Sequence, residues 1–184
     1  PRMLHVVLYQ PESPHNTGAV GRLCLATGAR LHLIKPLGFS LEDKHLKRAG
    51  LDYWQEVDVH LWDSFEDMYA TAAPNAAFAF LTTKTKQAYW DANFDRETYL
   101  VFGPETRGLP ESLLETHSAA CRTIPMEGTR SLNLATAVGI VLYEAVRQQA
   151  MMHRTEGDLP SSVNARGRAA LGTSDSSDHP PPAH

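Results

Sequence analysis

Short apolar runs alternate with segments of helical periodicity along the first 150 residues. The runs rich in β-branched and aromatic residues predict strands, and the amphipathic stretches between them predict helices. Strands are expected at residues 4–9, 31–34, 57–61, 76–82, 99–102 and 122–124, and helices at 17–26, 43–49, 64–73, 110–116 and 133–149. This alternation predicts an α/β fold with a mainly parallel sheet and helices on both faces.

Two residues mark the expected limits of the first helix. Asn16 directly precedes the segment, and its side chain is of the kind that commonly caps a first turn. Gly28 follows the segment and suits the left-handed conformation at a helix C-terminus. The helix is therefore predicted to start after an Asn16 cap and to end before Gly28.

The composition changes near residue 150. Residues 1–150 are predicted to form one domain, whereas Gly, Ser, Pro, Asp and Arg dominate residues 151–184. Such a segment cannot bury enough apolar surface to offset its ordering entropy, so a flexible, disordered tail is expected there. The apolar runs fall short of the roughly 18 residues of a membrane span. The N-terminus lacks the pattern of a secretory leader, so a soluble cytoplasmic protein is expected.

Charge and metal-binding residue types narrow the functional classes. The two cysteines, Cys24 and Cys121, and the nine histidines show no spacing typical of metal ligands, so no metal is expected. The formal net charge of −4 does not indicate a nucleic-acid binder. It does not exclude one, because recognition needs a local basic surface rather than a basic total.

Three unusual loops each follow a predicted strand, at residues 10–22, 102–110 and 124–133. Ligands of open α/β sheets gather beyond the carboxyl ends of strands, so these loops are expected to form the site. Their glycines fit neither a P-loop nor a dinucleotide fingerprint, since Leu109-Pro110 follows Gly108. A nucleoside triphosphate or dinucleotide is therefore disfavoured, and the glycines indicate close backbone approach to an adenine or ribose.

Each loop also has a purely structural interpretation. Ser131 or Asn133 could simply cap the long helix that follows. Arg22 could grip a phosphate or ribose hydroxyl, or be an ordinary surface arginine. Lys47 and Arg48, with the nearby Lys44, form a basic cluster that suits an RNA backbone but equally suits a solvated helix face.

Taken in order, the loops and their flanks resemble the three motifs of SPOUT-superfamily RNA 2′-O-methyltransferases. In detail they are similar to the short, TrmL-like enzymes that act on cytidine or uridine at the tRNA wobble position. The resemblance covers residues 3–150. It is carried by residues 14–18, 22–24, 27–28, 47–53, 81–84, 102–110, 124–125 and 130–134.

The resemblance implies a C-terminal trefoil knot and a homodimer with a shared active site. S-adenosyl-L-methionine would be held in the knot, and the substrate would be the tRNA anticodon stem-loop, with leucine tRNAs as the expected isoacceptors. It implies these roles: cofactor binding by Leu81, Gly103, Ile124, Ser131 and Asn133; catalysis by Arg22, with Asn16 and Glu105 orienting it; and RNA contact by Arg107, Arg130, Lys47 and Arg48.

The family's arginine is regarded as the acceptor of the ribose proton. Because arginine stays protonated in proteins, we expect Arg22 to bind phosphate and stabilise negative charge instead. Three alternatives remain open. The chain could methylate rRNA or another tRNA position, it could be a catalytically silent RNA-binding module, or it could be a flavodoxin-like binder of a small ligand.

Overall fold

The computed structural model describes residues 3–49 and 53–155. These residues form a sheet of six strands and five α-helices. The strands are β1 (Leu4–Tyr9), β2 (Arg30–Ile34), β3 (Val59–Trp62), β4 (Ala77–Leu81), β5 (Thr98–Phe102) and β6 (Cys121–Arg122). The helices are α1 (Pro14–Thr27), α2 (Lys44–Ala49), α3 (Phe65–Tyr69), α4 (Glu111–Thr116) and α5 (Leu134–Thr155). Single 3-10 turns lie at Tyr53–Glu56, Tyr89–Asp91 and Ser118–Ala120.

All strand pairs of the sheet are parallel, in the order β3-β2-β1-β5-β4-β6. Leu8 pairs with Phe102, and Phe102 pairs with Leu81, so the carboxyl ends of β1, β5 and β4 are level. The loops that follow these strands must therefore meet at one edge of the sheet.

Helices cover both faces of the sheet, which confirms the predicted α/β fold. On one face, Val6, Leu8 and Leu100 pack in a core with Val20 of α1 and Val138 of α5. On the other face, the core includes Val7, Phe80, Val101, Met68 of α3 and Leu114 of α4. The alternation of side chains along a strand supplies both faces from the same segments.

The predicted start of the first helix is wrong. Helix α1 begins at Pro14, and its cap is Ser13, whose Oγ accepts a hydrogen bond from the Asn16 backbone N–H at 3.2 Å. Proline suits a first helical position because its missing N–H would have no partner there. The C-terminal cap is confirmed, since Gly28 is left-handed with φ of 74°.

Other element limits shift by a few residues. The strand expected at 57–61 is β3, Val59–Trp62, because the chain first makes the 3-10 turn Tyr53–Glu56. The helix expected at 64–73 is only Phe65–Tyr69. The compact unit extends to Gln149, and α5 continues through Thr155. The predicted tail beyond Thr155 lies outside the described residues, and the knot stays a prediction.

Membrane-spanning helices and metal-binding clusters are both absent from the described residues. No helix there combines the length and apolar character needed to cross a membrane. No group of three or more His, Cys, Asp or Glu residues in the same ranges is placed to hold a metal ion.

Candidate cofactor and RNA site

A cavity of about 520 Å³ opens beyond the carboxyl ends of β4, β5 and β6, against the start of α5. Its volume lies within the roughly 300–1,000 Å³ of small-molecule sites. All five residues predicted to bind the cofactor line it: Leu81, Gly103, Ile124, Ser131 and Asn133. The predicted site residues Asn16, Glu105, Arg107 and Arg130 line it as well.

The loop after β5, residues 103–108, folds back on itself at the cavity wall. A Cβ on Gly103 would lie 2.3 Å from the Leu109 backbone nitrogen, a distance no side chain tolerates. Gly108 closes the loop in the left-handed region, with φ of 69°. Gly103 and Gly108 have no side chains, so they present backbone N–H and C=O groups to the cavity, beside the side chains of Glu105 and Arg107.

Asn133 joins the third loop to the first. Its Oδ1 accepts from the Thr136 backbone N–H at 3.2 Å, so it caps α5. Its Nδ2 donates to Asn16 Oδ1 at 3.0 Å. The predicted capping of α5 by Asn133 is thus confirmed, and the same amide side chain also holds Asn16 at the cavity.

A set of reciprocal hydrogen bonds joins the first and second loops. We call its members, Gln10, Glu12, Glu105, Thr106 and Arg107, the loop clasp. The Glu105 carboxylate accepts from the Glu12 backbone N–H at 3.1 and 3.2 Å. The Glu12 carboxylate accepts from Thr106, at 3.2 Å from its N–H and 2.8 Å from its hydroxyl. Arg107 Nη2 donates to Gln10 Oε1 at 3.3 Å.

Sequence reasoning assigned no role to Glu12 or Thr106. Glu12 lies in the proline-rich segment 11–14, directly after β1, at the sheet edge where the loops meet. An ionisable residue at that position is the one feature of the sequence that could have indicated a role for Glu12 at the site. The partner, Thr106, is 94 residues away in the chain, so the sequence could not pair them.

Arg22 lies away from the cavity lining of its own chain. It is exposed on α1, with its guanidinium carbon 5.9 Å from the centre of the Tyr53 ring. That distance suits a cation–π contact. The neighbouring Trp54 explains the placement, because a Cβ on Gly21 would lie 2.6 Å from its indole ring. The indole therefore packs where α1 has no side chain, which sets Tyr53 beside Arg22.

The predicted RNA-binding residues fall into two groups. Arg107 and Arg130 are exposed and lie on the cavity rim. Lys47 and Arg48 are exposed on α2, outside the cavity lining, and Lys47 Nζ lies 3.2 Å from Glu42 Oε2. The structure thus brings the loop arginines to the cavity but leaves the α2 cluster on a separate surface.

A parallel α/β sheet with a cavity at its carboxyl edge is the architecture of a protein that binds a small-molecule ligand there. The chain belongs to the SpoU rRNA Methylase family, whose profile matches residues 3–143. The predicted family resemblance is thereby confirmed.

Similar proteins include a tRNA (cytidine(34)-2′-O)-methyltransferase from Methylovorus glucosotrophus. It is 49% identical over 148 residues, which are 79% of this chain and 96% of the relative. A solved structure described as giving structural insights into the 2-OH methylation of C/U34 on tRNA is 50% identical. It covers 80% of this chain and 97% of its own, with a TM-score of 0.76.

A more distant similarity concerns the cofactor. The SpoU methyltransferase AviRb from Streptomyces viridochromogenes, solved in complex with the cofactor AdoMet, is 28% identical with a TM-score of 0.69. The match covers 80% of this chain and 58% of that one.

Proposed function

We propose that this chain transfers a methyl group from S-adenosyl-L-methionine to the ribose 2′-hydroxyl of the tRNA wobble nucleotide, position 34. The observation that carries the proposal is the cavity, which gathers all five predicted cofactor residues together with Asn16 and two arginines. The high identity to relatives named for that reaction supports the choice of substrate.

The cavity fits the methyl donor in size and chemistry. Leu81 and Ile124 offer apolar contact, and the backbone of the 103–108 loop offers hydrogen bonds of the kind that suit an adenine. Ser131 and Asn133 would hold the polar end. When bound, the donor supplies an electrophilic sulfonium methyl group, so the protein must mainly align the ribose hydroxyl with it.

Arg22 is the proposed catalytic residue. Arginine side chains act as fixed positive charges in proteins. A guanidinium can bind the adjacent phosphate and stabilise the charge that develops on the 2′ oxygen as its proton leaves. Asn16, held by Asn133, and Glu105, held by Glu12, are the residues we propose to orient the reacting groups.

Arg107 and Arg130 would contact the RNA backbone at the cavity rim, and Lys47 with Arg48 would follow the anticodon stem-loop. We propose leucine tRNAs as the isoacceptors. We also propose a cytoplasmic location, which agrees with a tRNA substrate.

The test is transfer of label from S-adenosyl-L-methionine to tRNA that lacks this modification, with nuclease mapping of the labelled nucleotide. Label at the wobble ribose is expected, and replacing Arg22 by Ala should lower the rate roughly 10²–10³-fold. Label in rRNA or at another tRNA position would contradict the proposed substrate. Donor binding without any methyl transfer would indicate the silent module.

We also propose that the active enzyme is a homodimer in which Arg22 serves the cavity of the partner subunit. Arg22 lies outside the cavity lining of its own chain, although its role requires contact with the substrate there.

A mixing experiment tests the shared site. Arg22→Ala removes the guanidinium, and Gly103→Ala blocks the cavity loop, so each variant alone should be inactive. Refolded together, they form mixed dimers with one intact site and should recover up to about a quarter of wild-type activity. Sedimentation checks that mixed dimers form. Mixed dimers without recovered activity would contradict a site shared in this way.

A further inference from the structure

The backbone around Glu12 contacts the loop after β2 at Gly38, a residue that does not line the cofactor cavity. Gly38 N–H donates to the Pro11 carbonyl at 2.9 Å. A Cβ on Gly38 would lie only 2.7 Å from the Glu12 carbonyl oxygen, so glycine is needed for this approach. Gln10, at the start of the same segment, adopts a left-handed φ of 48°, a conformation that costs free energy for a non-glycine residue. The backbone of residues 10–12 is thus held in one conformation by its contact with Gly38.

Glu12 makes hydrogen bonds to the second loop both as a donor and as an acceptor. Its backbone N–H donates to Glu105, and its carboxylate accepts from the N–H and hydroxyl of Thr106. The two carboxylates therefore avoid facing each other, because each binds donors of the opposite loop. Glu12 is the one member of the loop clasp that both donates to and accepts from the second loop.

The charge on Glu12 suits this role. The hydroxyl and backbone N–H of Thr106 hold the pKa of the Glu12 carboxyl below its ordinary value, and the Arg107 guanidinium acts in the same direction. Glu12 is therefore a carboxylate at neutral pH and can accept both Thr106 hydrogen bonds at once. Bonds to an ionised acceptor are stronger than those between neutral groups.

The loop that Glu12 binds, residues 103–108, also lines the cavity. Gly103, Glu105, Thr106 and Leu109 all line it, and the turn between them is too tight to carry a side chain at Gly103. We propose that Glu12 is a positioning residue that holds the 103–108 loop in the form that binds the methyl donor. This inference rests on the proposed function for the identity of the donor.

Hydrogen exchange and donor binding, measured on Glu12→Ala and Glu12→Gln, test the inference. Without any ligand, the Thr106 amide should exchange faster in Glu12→Ala than in wild type, because its acceptor is gone. The Kd for S-adenosyl-L-methionine, measured by calorimetry, should rise about tenfold in Glu12→Ala. Glu12→Gln keeps one amide oxygen as an acceptor and should show a smaller rise.

Variants of Thr106 test whether Glu12 affects donor binding through its hydrogen bonds to Thr106. Thr106→Val removes the hydroxyl donor, and the Glu12→Ala/Thr106→Val double variant should bind the donor no more weakly than Glu12→Ala alone. Thr106→Ser restores the hydroxyl and should restore affinity. Glu66→Ala, at an exposed glutamate of α3 on the other side of the sheet, is the matched control and should change nothing.

The outcomes separate the inference from the proposed function. An unchanged Kd in Glu12→Ala, or additive effects in the double variant, would overturn the positioning role even if wild type methylates tRNA. A lower affinity that only follows a lower Tm would overturn it too. A raised Kd at unchanged Tm, in a protein that never labels the wobble nucleotide, would support the role of Glu12 and contradict only the proposed substrate.

Discussion

Asn133 combines helix capping with a contact to the first loop, and its two functions lie on different atoms. The oxygen caps α5 by accepting from Thr136, and the nitrogen donates to Asn16. Substitutions can therefore separate them. Serine is a good cap but has no amide to reach Asn16, whereas alanine removes both contacts.

We predict that Asn133→Ala lowers the free energy of unfolding by about 1 kcal/mol, as loss of a cap does. Asn133→Ser should keep most of that stability, yet both variants should methylate tRNA more slowly than wild type. Denaturant unfolding and the methyl-transfer rate measure the two effects. Ser64→Ala, which removes the α3 cap to Asp67, is the matched control and should cost stability alone. Full activity in Asn133→Ser would show that the Asn16 contact is dispensable.

At the scale of elements, apolar periodicity predicted every strand and helix of the sheet domain, but local chemistry set the ends. Asn16 and Ser13 are both good caps, and periodicity alone could not choose between them. Pro14 decides the start, because it fits the first turn and leaves Asn16 inside the helix, where its side chain is free to meet Asn133. A cap assignment that considered the proline would have been right.

Contacts between elements could not be predicted from the sequence. The Trp54 indole packs against the bare backbone of Gly21, and this contact sets Tyr53 beside Arg22. Nothing in residues 21–22 or 53–54 indicates that they meet, since the pairing depends on how the chain crosses over. The five residues predicted to bind the cofactor could be named because a family pattern orders them, whereas the partners of the loop clasp follow from no pattern in the chain.

At the scale of the whole molecule, a chain of hydrogen bonds crosses the sheet through the buried rings of His5 and His32. Trp62 Nε1 of β3 donates to His32 Nδ1 at 2.9 Å, so the proton of His32 is on Nε2. His32 Nε2 then donates to His5 Nδ1 at 2.8 Å, and His5 Nε2 donates to Glu97 Oε1 at 2.8 Å. Both rings are neutral in this arrangement, because His32 Nδ1 accepts from the indole N–H and His5 Nδ1 accepts from His32 Nε2.

The surroundings oppose protonation as well. Burial, and then the neighbouring His5, His60 and Arg30, lower the pKa of His32 to about 3, although Asp58 acts in the other direction. Burial also lowers the pKa of His5, against the opposing effect of Glu97. An unfolded histidine has a pKa of about 6.5, so the unfolded chain binds more protons than the folded chain below that pH.

We therefore predict that the free energy of unfolding falls as the pH is lowered from about 6.5, by up to about 1.4 kcal/mol per pH unit from His32. Denaturant unfolding between pH 7 and pH 5 measures this slope, above the range where carboxylates titrate. His32→Gln keeps an amide acceptor and donor without a titrating proton, so the slope should be shallower. Ser64→Ala, which changes no titrating group, should leave the slope unchanged. Equal slopes in wild type and His32→Gln would show that this network does not set the acid sensitivity of the fold.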